Sequence, residues 1–191
     1  MRVPGRYLLG MTALVAAASA SVGVVAAGAG SGGCGATVRA MAGERVAINR
    51  YVQDDMHFSP GTVTIKSGCT LTFEYGSPGQ TDPHTLSIVA ASELPRTPAQ
   101  IDDCKVCEQI GARHVKNPTQ PPGPTNPVLH WTVNAGRPGL DAPGDSRAIL
   151  EGPGAPSGHK SISIEVTAPP GTTLHFLCAV HPWMQGTIKV T

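Results

Sequence analysis

Charged side chains are scarce in this chain of 191 residues. They make up only 14% of it, and the 14 Lys and Arg against 13 Asp and Glu leave a formal net charge of +1. Nucleic-acid binding requires a dense basic surface, so this composition argues against a nucleic-acid partner.

Internal repeats and long helical patterns are also missing. In their place the sequence has short stretches in which apolar and polar residues alternate, bounded by some of its 23 Gly and 18 Pro. These stretches include "GTVTIKSG" (61–68), "CTLTFEYG" (69–76), "HTLSIVA" (84–90), "KSISIEVTAP" (160–169), "TTLHFLC" (172–178) and "GTIKVT" (186–191). Alternation of period two is typical of strands with one buried face. Seven or eight such strands predict an all-β fold, an antiparallel sandwich of two sheets.

The N-terminus differs from the rest of the chain. After Arg2 and Arg6 no charged residue occurs from Tyr7 to Val38. A basic start, an apolar run and small residues are the marks of an export signal, and the run is also long enough to cross a bilayer. We therefore predict an export signal or N-terminal membrane anchor over residues 1–30 and a linker over 31–44. Lipidation of Cys34 is a further alternative, although "SGGC" has Ser where a branched aliphatic residue is expected.

Residues 92–127 interrupt the strand pattern. The segment "TPAQIDDCKVCEQIGARHV" (97–115) predicts a helix with Thr97 as its N-cap and Pro98 in its first turn, and a proline-rich loop follows it. We expect one domain over residues 45–191, in which 92–127 is an insertion packed over one edge of the sandwich.

Three residues with metal-binding side chains occur near the C-terminus at intervals of three: Cys178, His181 and Met184. The alternation in "TTLHFLC" places Cys178 on the apolar face at the end of a strand, with His181 and Met184 in the loop that follows. Trigonal copper sites use two histidines, one thiolate and a weak axial thioether. The best candidate for the second histidine is His84 in "TDPHTLSIV", because it opens a strand. The alternative is a metal-free sandwich in which Cys178 and Met184 are ordinary core residues.

The segments "FSPGTVTIKSGCTLTF", "PHTLSIV" and "CAVHPWM" resemble the cupredoxins, the small blue copper proteins, and the resemblance covers about residues 45–191. It implies a Greek-key β-sandwich that holds one copper ion, cycling between Cu(I) and Cu(II). By position, His84, Cys178 and His181 would be the equatorial ligands and Met184 the axial one. The loop spacing is most similar to that of the amicyanin-like members. The chain has Thr85 where many members have an Asn that ties the two ligand loops together.

Such a closed site implies one-electron transfer rather than catalysis, so we expect an exported electron carrier of the periplasm, cell envelope or extracellular space, not an enzyme. Its partners would be redox proteins that dock transiently near His181, Pro182 and Trp183, and we expect a monomer. The runner-up is a copper-binding or copper-delivery protein of the cell envelope. A relative of the multicopper oxidases is disfavoured, because those need paired His-x-His motifs and none occurs here.

The remaining cysteines predict a disulfide. In an exported protein, some pairing is expected among Cys69, Cys104 and Cys107, with the third thiol free or paired with Cys34. A second metal site that uses Cys104, Cys107 and His114 is the alternative.

Overall fold

The computed structural model describes residues 34–120, 125–134, 137–151 and 159–191. The predicted export signal or anchor, residues 1–30, lies outside these ranges. Within them, no helix is both long enough and apolar enough to cross a membrane.

The strands, numbered in chain order, form a two-sheet β-sandwich and one separate hairpin. The first sheet contains, in spatial order, β10 (Ser161–Val166), β6 (Cys69–Tyr75), β1 (Gly35–Met41) and β4 (His57–Ser59). The second sheet contains β5 (Thr62–Ile65), β12 (Gln185–Val190), β11 (Thr173–Leu177), β7 (His84–Val89), β9 (Ser146–Ile149) and β8 (Thr132–Val133). The hairpin consists of β2 (Glu44–Ala47) and β3 (Tyr51–Asp54). Most pairings are antiparallel, as predicted, but β1 pairs with β6 and β5 with β12 in parallel.

The main core lies between the two sheets. The alternation predicted from the sequence holds: Leu71 and Phe73 of β6 and Leu174 and Phe176 of β11 belong to one buried apolar cluster. Cys178 continues the parity of β11 and belongs to the same cluster, fully buried. The inner face of β11 therefore leads directly to the predicted ligand.

The prediction that residues 31–44 form a linker is wrong for the stretch of β1. This strand lies between β6 and β4, and its residues Val38 and Ala40 are fully buried. Its start is joined to β6 by a disulfide between Cys34 and Cys69. A thiol in this disulfide cannot carry a lipid, which argues against lipidation of Cys34.

The insertion starts with a short 3-10 helix (Ala91–Glu93) and forms two α-helices where the sequence predicted one, α1 (Pro98–Asp102) and α2 (Lys105–His114). Thr97 caps α1 as expected, since its hydroxyl accepts the N–H of Gln100 at 3.3 Å. As predicted, the insertion reaches one edge of the sandwich, because α2 contacts the edge strand β8. It also extends further inward: Ile110 of α2 joins Val89 and Leu177 in a second buried cluster, which covers the outer face of β7 and β11. Strand β7 begins with the candidate ligand His84 and β11 leads into Cys178, so the insertion packs against the strands that position the site.

Candidate metal site

Two neighbouring strands bring the distant candidate ligands to one end of the sandwich. Strand β7 begins at His84, and β11 ends one residue before Cys178. Because the two strands are antiparallel neighbours, with Ser87 opposite Leu177, the start of β7 lies beside the end of β11. His181 lies in the short loop that leads from Cys178 to β12. This topology joins residues that are more than 90 positions apart in sequence.

His84, Cys178 and His181 form a compact triangle of donor atoms. Cys178 Sγ is 3.9 Å from His84 Nδ1 and 3.7 Å from His181 Nδ1, and the two nitrogens are 3.2 Å apart. A point equidistant from these three atoms lies about 2.1 Å from each, compared with about 2.0–2.1 Å for zinc–imidazole and about 2.3 Å for zinc–thiolate bonds. The triangle therefore fits one transition-metal ion. Two imidazoles with one thiolate are the equatorial donors of trigonal copper sites.

Backbone hydrogen bonds close the loop around this triangle. The N–H of Cys178 donates to the carbonyl of Met184 at 3.0 Å, and the N–H of Met184 donates to the carbonyl of His181 at 2.9 Å. These bonds fold the loop back on itself, with Met184 1% exposed and in the same buried cluster as Cys178. Met184 thus lies in the loop and in the core, as the sequence suggested, and its role as axial ligand stays a prediction.

Thr85 ties the two ligand-bearing segments together. Its hydroxyl oxygen accepts the N–H of Ala179 at 2.7 Å, and its own N–H donates to the sulfur of Cys178 at 3.3 Å. The threonine is shorter than the asparagine of many cupredoxins, yet the contact between β7 and the loop is made.

Burial keeps the donor groups of the site uncharged when no metal is bound. His84 and Cys178 are fully buried, whereas His181 is half-buried. Burial, reinforced by the nearby His181, lowers the pKa of His84 to about 4, and burial also lowers the pKa of His181. Burial raises the pKa of the Cys178 thiol. Neutral imidazoles present free lone pairs to a metal at neutral pH, and the thiol loses its proton on binding.

Two residues that the sequence analysis did not single out contact His84. The ring of Tyr75 packs edge-on against it, with centroids 5.8 Å apart. The buried side-chain amide of Gln80 lies 2.6 Å from His84 Nε2, while its Oε1 has no hydrogen-bond partner. Amide oxygen and nitrogen are nearly equivalent in shape. With the oxygen turned to the ring, Gln80 accepts the Nε2 hydrogen and leaves the Nδ1 lone pair for a metal. Neither residue belongs to a motif, so only the fold identifies them.

The alternative second metal site is ruled out by the pairing of its ligands. Cys104 and Cys107 form a disulfide, and His114 donates and accepts hydrogen bonds within the protein. The predicted disulfide among Cys69, Cys104 and Cys107 is thus the Cys104–Cys107 pair, and of the two alternatives for the third thiol, Cys69 pairs with Cys34. Cys178 is the one free cysteine of the described residues.

The apolar surface beside His181 differs in part from the prediction. Trp183 is 39% exposed and packs edge-on against the His181 ring, with centroids 5.3 Å apart. Pro182, however, is buried, and the exposed apolar neighbour is Val180 instead. A groove of about 620 Å³ adjoins Val180 and Trp183 and is lined on its other side by the insertion, including Ile101. The insertion therefore borders the surface beside Trp183, the residue that packs against the His181 ring.

No protein-family model matches the chain, and no curated protein sequence matches it. Among solved structures, a purple cupredoxin from Nitrosopumilus maritimus is 14% identical, with a TM-score of 0.40 over 82% of this chain and 99% of that chain. Auracyanin A from Chloroflexus aurantiacus is 16% identical, with a TM-score of 0.40 over 82% and 99%. A reduced auracyanin from Roseiflexus castenholzii is 21% identical, with a TM-score of 0.37 over 71% and 87%.

With identities of at most 21% and TM-scores of at most 0.40, these matches assign no role to this chain, and the chemistry of the site follows from the side chains described above. The solved structures named above are cupredoxins, the family that the sequence resembles. Independently of them, His84, Cys178 and His181 form a group of donor atoms that could hold one metal ion.

Proposed function

We propose that the protein is an exported mononuclear type 1 copper protein that carries single electrons between redox partners. The observation that supports this most strongly is the triangle of His84 Nδ1, Cys178 Sγ and His181 Nδ1, with sides of 3.2–3.9 Å, beside the thioether-bearing Met184. Copper held there would gain and lose one electron. The proposed ligands are His84, Cys178 and His181, with Met184 as the axial ligand.

The surrounding residues favour electron transfer over catalysis. His84 and Cys178 are fully buried and Met184 is only 1% exposed, so these three residues shield the site from water. The two hydrogen bonds that close the 178–184 loop hold the donor atoms in place without a metal. A preformed set of donors requires little rearrangement when the charge of a bound ion changes, and it leaves no wide opening for a substrate.

Electrons would enter and leave through His181. It is the only half-buried member of the triangle in the described structure, and it lies against the exposed ring of Trp183. We propose that Val180 and Trp183, both more than a third exposed, form a small apolar patch where a redox partner docks. Transient electron-transfer complexes need only a small interface.

Export is part of the same proposal. The uncharged stretch from Tyr7 to Val38 supports it. The disulfides Cys34–Cys69 and Cys104–Cys107 support it independently, because disulfides persist in oxidising compartments such as the periplasm. A type 1 site also needs a free thiol, and Cys178 is fully buried and unpaired among the described cysteines.

The first test is the visible absorption spectrum of the full chain, copper-loaded and oxidised, beside its Cys178→Ser variant. We expect one copper per chain and an intense thiolate-to-copper band that the variant lacks. The matched control is the double variant Cys104→Ser with Cys107→Ser, which removes two sulfurs outside the triangle and should keep the band.

Two other outcomes would refute the electron-carrier proposal. A colourless protein that binds only Cu(I) would favour the copper-delivery alternative, since a carrier has to hold both oxidation states. No copper binding at all would return Cys178 and Met184 to the status of core residues.

A further inference from the structure

A row of hydrogen-bonded side chains runs along the outer face of the second sheet, beneath the insertion. His114 Nε2, at the end of α2, lies 2.8 Å from the hydroxyl of Ser146 on β9. Ser146 Oγ is 2.8 Å from Ser87 Oγ, and Ser87 Oγ is 2.8 Å from Thr85 Oγ1, both on β7. Thr85 Oγ1 in turn accepts the N–H of Ala179, the residue after Cys178, at 2.7 Å. The row thus connects the insertion to the loop that carries the candidate ligands.

These side chains are shielded from solvent. Ser87 and Ser146 are fully buried, and Thr85 and His114 are 4% and 3% exposed. Buried polar groups depend on their protein partners, and neighbouring bonds in a row polarise one another. Each hydroxyl hydrogen is therefore directed by the partners within the row.

The histidine end of the row sets the direction of every hydrogen in it. His114 Nδ1 is hydrogen-bonded to the carbonyl of His130, which can only accept, so Nδ1 carries the hydrogen and Nε2 is an acceptor. Ser146 consequently donates to His114. Since each hydroxyl has one hydrogen, Ser87 must donate to Ser146, and Thr85 must donate to Ser87. Burial also lowers the pKa of His114 to about 4, which agrees with a neutral, accepting ring.

This direction matters because Thr85 adjoins the candidate thiolate: its backbone N–H donates to the Cys178 sulfur at 3.3 Å, and its hydroxyl oxygen accepts the N–H of the next residue, Ala179. While Thr85 donates to Ser87, its single hydroxyl hydrogen is not available to that sulfur. A hydroxyl that donated to the thiolate instead would withdraw electron density from it. Hydrogen bonding at the cysteine sulfur is one of the factors that set the reduction potential of such copper sites.

We propose that His114 is a positioning residue for the metal site: through Ser146 and Ser87 it keeps the Thr85 hydroxyl hydrogen unavailable to Cys178 and the hydroxyl oxygen available as the acceptor for Ala179 N–H. For its effect on the potential this inference rests on the proposed copper function. Its effect on the Ala179 amide does not require a metal. The insertion, for which the sequence predicted no role, would then influence the reduction potential of the metal site from the outer face of the second sheet.

The test compares four variants of the full chain. His114→Phe removes the acceptor but keeps a ring, and His114→Gln keeps an acceptor near the position of Nε2. Ser87→Ala interrupts the row at its middle, and the fourth variant combines Ser87→Ala with His114→Phe. Two quantities are measured: hydrogen exchange of the Ala179 amide in the metal-free protein, and the reduction potential of the copper-loaded protein.

We expect His114→Phe and Ser87→Ala each to accelerate Ala179 exchange about tenfold, the effect of losing one ordinary hydrogen bond, and each to raise the potential. His114→Gln should stay close to the unmodified protein. The double variant should match Ser87→Ala alone, because His114 acts through a row that is already broken. Exchange at Leu71, in the other sheet, is the control for a general loss of stability.

Two results would overturn the inference: unchanged Ala179 exchange in both single variants, or effects of His114→Phe that persist at full size in the Ser87→Ala background. If His114→Phe does not fold, Ser87→Ala and His114→Gln still give the comparison. If the copper-loaded unmodified protein lacks the thiolate-to-copper band, the proposed function is refuted. Hydrogen exchange of the Ala179 amide in the metal-free protein still tests the row of hydrogen bonds.

Discussion

His114 is a buried histidine whose neighbours oppose its protonation, so we expect acid to destabilise the protein through this residue. It is 3% exposed. Burial lowers its pKa from 6.5 to about 4, and the cations Arg113 and Arg147 act in the same direction, although the hydrogen bond to the His130 carbonyl opposes them. The perturbation we consider is acidification from pH 8 to pH 4, in the unmodified protein and in the His114→Gln variant, both without metal.

The magnitude follows from the two pKa values. Between pH 6.5 and about 4 the unfolded chain binds a proton at His114 and the folded protein does not. The stabilising contribution is therefore complete above pH 6.5 and is lost as the pH falls toward 4. A lowering of this size corresponds to about 3 kcal/mol in the free energy of unfolding.

Urea unfolding at a series of pH values measures this loss. His84 and His181 titrate in both proteins, so their contributions cancel when the variant is subtracted from the unmodified protein. We expect that difference to change by about 3 kcal/mol between pH 8 and pH 4, with the unmodified protein losing more stability. A difference that stays constant with pH would refute the reasoning, because His114 would then titrate alike in the folded and unfolded states.

Three further predictions concern the site and its support. Met184→Gln should lower the reduction potential in cyclic voltammetry, since a thioether favours Cu(I) more than an amide does; no shift would argue against Met184 as axial ligand. Replacing Cys34 and Cys69 by Ala opens a loop with a sequence separation of 35 and should cost about 4 kcal/mol in urea unfolding, whereas a neutral result would contradict the disulfide. Gly186→Ala places a methyl group against the Phe176 ring and should cost about 1–3 kcal/mol; an unchanged thermal midpoint would show that the ring moves aside.

Much of the candidate site could be predicted from short-range patterns. The alternation in β11 puts Cys178 on the buried face, because successive side chains of a strand point to opposite sides of the sheet. His181 and Met184 follow within one loop, so their proximity to Cys178 depends on only a few residues. His84 could be chosen among seven histidines because it opens a strand. The copper chemistry then followed from the types of the donor atoms.

Strand β1 shows where local patterns were not enough. Its sequence "GATVRAM" alternates over residues 36–40, but it directly follows a long uncharged, apolar stretch, so the sequence analysis assigned it to a linker. Its place in the sheet depends on parallel pairing with β6 and on the Cys34–Cys69 disulfide. Both are contacts between segments 35 residues apart, which a local pattern does not encode.

The sequence by itself determined the strand-rich fold class and the donor atoms of the site, because side-chain periodicity and ligand chemistry are properties of short segments. Only the tertiary structure decided that Gln80 lies against His84, that the insertion covers the outer face of β7 and β11, and that His114 is connected to Ala179 through three hydroxyls. The physical reason is that hydrogen bonds between Ser, Thr, Gln and His have no periodic signature. They exist only where the packing of distant strands and helices brings these side chains within about 3 Å of one another.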